Sequence, residues 1–157
     1  MDITAAELTP TALTAAMRAT TPLIDTLSIE VLEVGERVRL RIPNEVQSRN
    51  HMGGPHAGAI FTLGESTAAC LMLTKVGHLL DRGKPLAVSA TVSWSKLARC
   101  AVLSEATMDI DAAQIEREFL DGGRPEWTTT ILFTREDDGA PCGEMSVVLT
   151  LVHPRVD

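Results

Sequence analysis

The segment AGAIFTLGESTAACLMLTKV, residues 57–76, limits what this chain can fold into more than any other. Ile60, Phe61, Gly64, Ala68, Leu71 and Met72 recur at helical spacing, and Leu63, Cys70 and Leu73 carry apolar character around most of the cylinder. Such a helix, expected over residues 56–77 with Gly77 at its end, has to be enclosed by the rest of the protein. Glu65 and Lys75 interrupt it before it reaches the ~18 consecutive apolar residues of a membrane span. One carboxylate, Glu65, thus stands in the middle of an apolar helix. The cluster NHMGGPHAG, residues 50–58, stands at its head.

The flanking sequence supplies a sheet to enclose that helix. In SIEVLEVGERVRLRIP, Val38, Leu40 and Ile42 fall on one face and Arg37, Arg39 and Arg41 on the other, which predicts a β-hairpin turning at Gly35 with one buried face. The arginine row fits a solvated strand face better than an anion site. LAVSATVSWSK places Val88, Ala90, Val92 and Trp94 opposite Ser89, Thr91, Ser93 and Ser95. AVLSEATMD, WTTTILFTRE and EMSVVLTLV add three more strands. Between the first two of these, DAAQIEREFLDGG predicts a short surface helix with Asp111 as N-cap. Near the N-terminus, Thr9 as N-cap and Pro10 at the first helical position open another short helix, which Pro22 is expected to close. The sum is an α+β chain: one antiparallel sheet curling around one central helix.

At 157 residues the chain fits a single domain over 1–157, with 1–25 as a helical lead-in. Apolar content of 45% and charged content of 22% exclude a disordered composition. A net charge of −7 without a basic run argues against nucleic acid as a partner. Asp2 and Glu7 occupy the place where a secretory leader would be basic. Cys70, Cys100 and Cys142 are odd in number and widely spaced. These features predict reduced thiols in a cytoplasmic protein that neither binds a membrane nor carries a structural metal.

With its motif at the head of the central helix, this order of elements resembles the hot-dog fold. Within that fold the chain is most similar to the small acyl-CoA thioesterases of the phenylacetic-acid-pathway type. Those proteins carry an Asn, a glycine-containing loop, His-Gly-Gly at the helix start and Leu-Ala-Asp two turns on. The counterparts here are Asn50, GGPHAG and LGE. The resemblance implies Glu65 as the catalytic carboxylate, acting as base on water or as nucleophile. It also implies the Ala57 backbone N–H as the donor that polarises the thioester carbonyl, with His56 and Asn50 orienting substrate or water. Coenzyme A enters only as part of the thioester substrate, with no further cofactor. Two departures stand out: Glu replaces Asp, and Ala replaces Gly at the oxyanion donor. A polar residue that the family places on the next strand falls near Ala87 or Ser89.

The residues themselves support this chemistry. A helix N-terminus presents unpaired N–H groups and a positive dipole end where an oxyanion develops. Gly53, Gly54 and Gly58 permit close approach of a ligand to backbone, and Thr62, Ser66 and Ala69 leave a small polar notch beside Glu65. A carboxylate stripped of water by an apolar helix becomes a better base. Lys96 and Arg99 are candidates for the coenzyme A phosphates. Ala57 and Glu65 are eight residues apart, a rise of ~12 Å on one helix, which is too far to act on one carbonyl. Two antiparallel helices side by side would bring the head of one to the middle of the other. That predicts a C2 homodimer with shared sites, with further pairing into a tetramer left open.

Two other functions compete. Hot-dog dehydratases acting on β-hydroxyacyl thioesters place a His fourteen residues before a helix glutamate, the spacing of His51 to Glu65, but their proline–glycine pair is replaced here by PHAG. A non-catalytic acyl-thioester-binding or scaffold protein would accommodate the Asp-to-Glu and Gly-to-Ala departures. A metal held by His51, His56 and Glu65 fits no usual ligand spacing.

Overall fold

The computed structural model describes residues 9–154; Asp2 and Glu7, on which the reading of the N-terminus rests, lie outside them. The Thr9 hydroxyl caps α1 (Pro10–Thr20) by accepting the Ala12 N–H. Pro22 does not simply close that helix. It opens a second, α2 (Pro22–Thr26), because its fixed φ and missing N–H suit a first helical position. The hairpin β1 (Glu30–Glu33) and β2 (Val38–Ile42) follows, turning through Gly35 at φ +138°. Val38, Leu40 and Ile42 are fully buried. The opposite row is solvated and ion-paired: Arg37 to Glu105 at 2.6 Å, and Arg41 to Glu136 at 2.6 Å and Glu30 at 3.0 Å.

The central helix α3 spans Ala57–Val76, capped by His56. Gly77 follows in right-handed rather than left-handed geometry, so a 3-10 turn (Gly77–Leu79) continues the path before β3 (Lys84–Trp94). By length and hydropathy alone Ala57–Leu79 could cross a membrane; half of its most apolar window is buried inside this fold. Next come β4 (Val102–Met108), α4 (Ala112–Leu120), β5 (Glu126–Arg135) and β6 (Pro141–Val152). As expected, Asp111 caps α4 by accepting the Ala113 N–H, and Ile115 and Phe119 are driven fully into the core.

All strands join one sheet in the order β1-β2-β4-β5-β6-β3, every neighbour antiparallel. This is the hot-dog arrangement, a sheet around one long helix. The helix lies over β2, β4, β5 and β6. Its approach is close at Gly64, where a Cβ would come within 2.8 Å of Phe133 Cζ and would also press on Met145 Sδ. The two sheet edges are β1, short and flanked by α1, and β3, eleven residues long and exposed along nearly its whole length.

Candidate functional site

Loop 50–55 is built around Asn50. Its Oδ1 accepts the Met52 N–H at 2.8 Å and the Gly54 N–H at 3.4 Å, while Nδ2 donates to the Pro55 carbonyl at 3.3 Å. Most of the side chain's bonding is therefore spent on the loop, and one amide hydrogen is left to meet a ligand. The loop is pinned from outside by Asn44 Nδ2, which donates to the Gly53 and Arg99 carbonyls, and by Arg99 Nε, which donates to the Met52 carbonyl. Gly54 is glycine for a protein contact and not for a ligand: a Cβ there would collide with the Ala98 carbonyl. Gly53 turns the chain at φ +82°. His51 is exposed in the same turn.

At the head of α3 the donors are divided unequally. His56 Nδ1 accepts the Gly58 N–H at 3.0 Å, and the His56 carbonyl accepts the N–H groups of Ala59 and Ile60. The Ala57 N–H is the one first-turn donor with no partner among the described residues. With Nδ1 an acceptor, the neutral imidazole of His56 carries its hydrogen on Nε2, as a donor on an exposed ring. His56 thus caps the helix and leaves Ala57 unoccupied.

From that donor an open stripe runs along α3. Ala57, Gly58 and Glu65 are exposed, and Phe61, Thr62 and Ala69 are half-buried between them. The expectation of a helix enclosed on all sides, with Glu65 stripped of water, does not hold within one chain. The sheet covers only one side of α3, and apolar composition could not reveal which side would be left open. Of the residues expected to form a notch, Ser66 is buried and the Thr62 hydroxyl donates to the Gly58 carbonyl. Of that notch, Thr62 and Ala69 border the open stripe with Glu65 and Ser66 does not.

Beyond β6 the concave face continues onto β3. Ala90, Val92 and Trp94 sit opposite Val147, Met145 and Gly143, and a bulge at Ala87/Ser89 breaks the alternation before them. Trp94, 44% exposed, lies across Gly143 with its ring 5.9 Å from that of Phe133, the same ring that touches Gly64 of α3. Glu65 follows Gly64 directly on the helix, and the exposed face of β3 lies beyond β6. Ser89 is exposed on β3, and Lys96 is exposed beyond its end. Arg99 has one guanidinium nitrogen committed to the loop. Cys70, Cys100 and Cys142 are free, and burial pushes the Cys70 thiol up to about 12. Among the described residues no group of His, Cys, Asp and Glu is arranged to hold a metal.

Three contributors escaped the sequence reading. Asn44 follows a strand-ending proline and gives no signal of its loop-pinning role. Trp94 alternates as a core residue would, and nothing in the pattern marks it as exposed. Ser104, fully buried in the inward row Val102, Ser104, Ala106, was visible as a polar residue in an apolar row. It meets the Thr67 hydroxyl of α3 at 2.6 Å.

Solved structures share this fold. A Pseudomonas aeruginosa protein of unknown function, described as a probable thioesterase, matches at TM-score 0.79 with 26% identity, over 93% of this chain and 97% of that one. A thioesterase from the same organism, crystallised as a mutant, matches at 0.76 with 17% identity over 93% and 95%. A Haemophilus influenzae thioesterase matches at 0.72 with 16% identity over 93% and 92%. Comparison with functionally curated proteins finds no match. The model of the domain of unknown function DUF4442 matches residues 9–150, nearly the whole described chain. This chain belongs to the DUF4442 family, here built as a hot-dog fold.

Proposed function

We propose that the protein hydrolyses acyl-CoA thioesters at a site shared between two copies. The observation that carries this reading is the open stripe of α3, which has an unpaired Ala57 N–H at one end and Glu65 eight residues along. In one chain that is a rise of ~12 Å; in an antiparallel pair the two groups approach each other. Glu65 takes a proton from water as the water oxygen bonds to the carbonyl carbon. The Ala57 N–H of the second copy, at a positive helix end, holds the oxyanion. Collapse of the adduct breaks the C–S bond, and the departing thiolate recovers the proton. The Nε2–H of His56 and the spare amide hydrogen of Asn50 orient the thioester, while Lys96 and the free edge of Arg99 meet the phosphates of coenzyme A. The solved thioesterases of the same fold support the reaction class.

One edge of the structure supports the pairing. The β3 edge carries no charge from Pro85 to Trp94 and leaves Leu86, Val88 and Trp94 exposed. Long bare edges of this kind are normally paired or blocked. Joining two β3 strands would cover both this edge and the helix stripe, supplying the desolvation of Glu65 that one chain lacks.

Incubation with acyl-CoA and with crotonyl-CoA separates the functions: thiol release supports hydrolysis, hydration the His51–Glu65 dehydratase, and neither a binding protein. Co-refolding tests the shared site. Glu65→Gln and a variant damaged at Asn50 and His56 are each nearly inactive alone. Random mixing should recover about a quarter of wild-type activity, because half the dimers are mixed and each has one sound site of two. No recovery while mixed dimers form would place the site within one chain.

A further inference from the structure

Helix α3 has a rotational problem that its apolar residues cannot solve. Leu63, Cys70, Leu71 and Met72 are buried, but Phe61 and Leu73 are apolar and only partly so. A roll of the helix would exchange one apolar set for another, and Glu65 would turn with it. Two features do not exchange. One is Gly64, whose missing Cβ lets the helix sit against Phe133 and Met145. The other is a buried hydroxyl pair, Thr67 Oγ1 on α3 and Ser104 Oγ on β4, 2.6 Å apart. The Thr67 hydroxyl donates to the Leu63 carbonyl at 2.7 Å, so Ser104 gives its hydrogen to Thr67. Thr67 is fully buried and Ser104 is 1% exposed. On a roll Thr67 keeps the Leu63 carbonyl of its own helix and Ser104 keeps only the Leu40 carbonyl at 3.4 Å, so what is lost is the 2.6 Å bond that joins helix to sheet in an apolar layer.

We infer that the Thr67–Ser104 hydroxyl pair fixes the rotation of α3 on the sheet and thereby holds Glu65 on the open stripe of the helix. Residues two apart on a helix point ~200° apart, so Thr67 faces the sheet when Glu65 faces out. Gly64 permits close contact, but a glycine has no side chain to hold a rotation. Thr67 is in this sense a positioning residue, acting on the proposed reaction only through Glu65.

The inference rests on the hydrolytic role proposed for Glu65, and the test separates the two. In Thr67→Val/Ser104→Ala both hydroxyls go together, so no orphan is left and the melting temperature should stay near wild type. Labelling of native Cys70, which is buried with its thiol against Met17 of α1, by iodoacetamide under native conditions should rise at least ~10-fold as the helix loses its fixed rotation. The kcat for acyl-CoA should fall at least ~10-fold with KM little changed. Thr67→Ser, which keeps the hydroxyl, should restore both. Unchanged labelling with unchanged kcat overturns the inference, and so does raised labelling with kcat kept within about twofold. Should the wild type release no thiol, the hydrolytic reading fails. The labelling of Cys70 then decides the rotational role by itself: a rise supports it and no rise overturns it.

Discussion

Strands β2 and β3 carry the same kind of pattern and meet different fates. In both, apolar and polar residues alternate. The inward row of β2, Val38, Leu40 and Ile42, is completely buried beneath α3, whereas on β3 Val88 is 47% and Trp94 44% exposed. Their outward rows differ too. β2 presents arginines bonded to Glu105, Glu136 and Glu30, and β3 presents Ser89, Thr91 and Ser93 with no charge from Pro85 to Trp94. The difference follows from where the helix sits. With Gly64 against Phe133 and Thr67 bonded to Ser104, α3 covers the β2 half of the sheet and stops short of β3. A buried apolar row stabilises the chain that contains it. An exposed one on an unprotected edge serves a second body, here proposed to be another copy and the thioester between them.

The sharpest way to break this contrast is at the carboxylate between the two halves. Glu65→Gln should cut thiol release at least ~100-fold, the scale of a lost general base. Its folding should be unaffected, because Glu65 is exposed; a thiol-release assay with a parallel melt reads both, and near-normal turnover would remove Glu65 from the chemistry. Next in size is the interior of β2. Leu40→Ala should cost about 2–5 kcal/mol of stability by leaving a cavity under α3. Leu86→Ala on β3 should stay within about 0.5 kcal/mol for the single chain. Urea titration of both variants at low protein concentration checks whether the two strands differ as their burial does.

A fourth variant acts on the β3 edge without touching the core. Ala90→Lys places a charge on an exposed position of that strand. Light scattering should show monomers with normal circular dichroism, and activity should fall at least ~10-fold; a fully active monomer would sink the shared site. The smallest effect belongs to the charged face. The guanidinium of Arg41 bonds to Glu136 and holds its carboxyl below the ordinary value of 4.5. A carboxylate held down in this way adds stability above that value and loses it as the pH falls through its lowered folded value. Exposed pairs contribute at most about 1 kcal/mol. Arg41→Met should therefore make the melting temperature slightly lower at neutral pH and less dependent on pH on the acid side of 4.5. An unchanged acid slope would show that the pair adds nothing.

What the sequence determined by itself was what local chemistry dictates. Strict alternation marked the strands, Thr9 and Asp111 announced their helices by capping them, and the apolar run 57–76 required a sheet to pack against. That Asn50 and His56 stand at the head of the helix carrying Glu65 was legible as well, because a glycine loop with a histidine runs straight into the apolar stretch. Pro22 was misjudged because proline suits the start of a helix as well as its end, and only the chain that follows chooses between them. The tertiary structure alone decided which side of α3 is covered, since a nearly uniform apolar cylinder contains no instruction about its rotation. Contacts far apart in sequence supply that instruction, Gly64 with Phe133 and Thr67 with Ser104. The folded chain likewise decides that Glu65 is exposed, that β3 is an edge, and that the Ala57 N–H has no partner among the described residues.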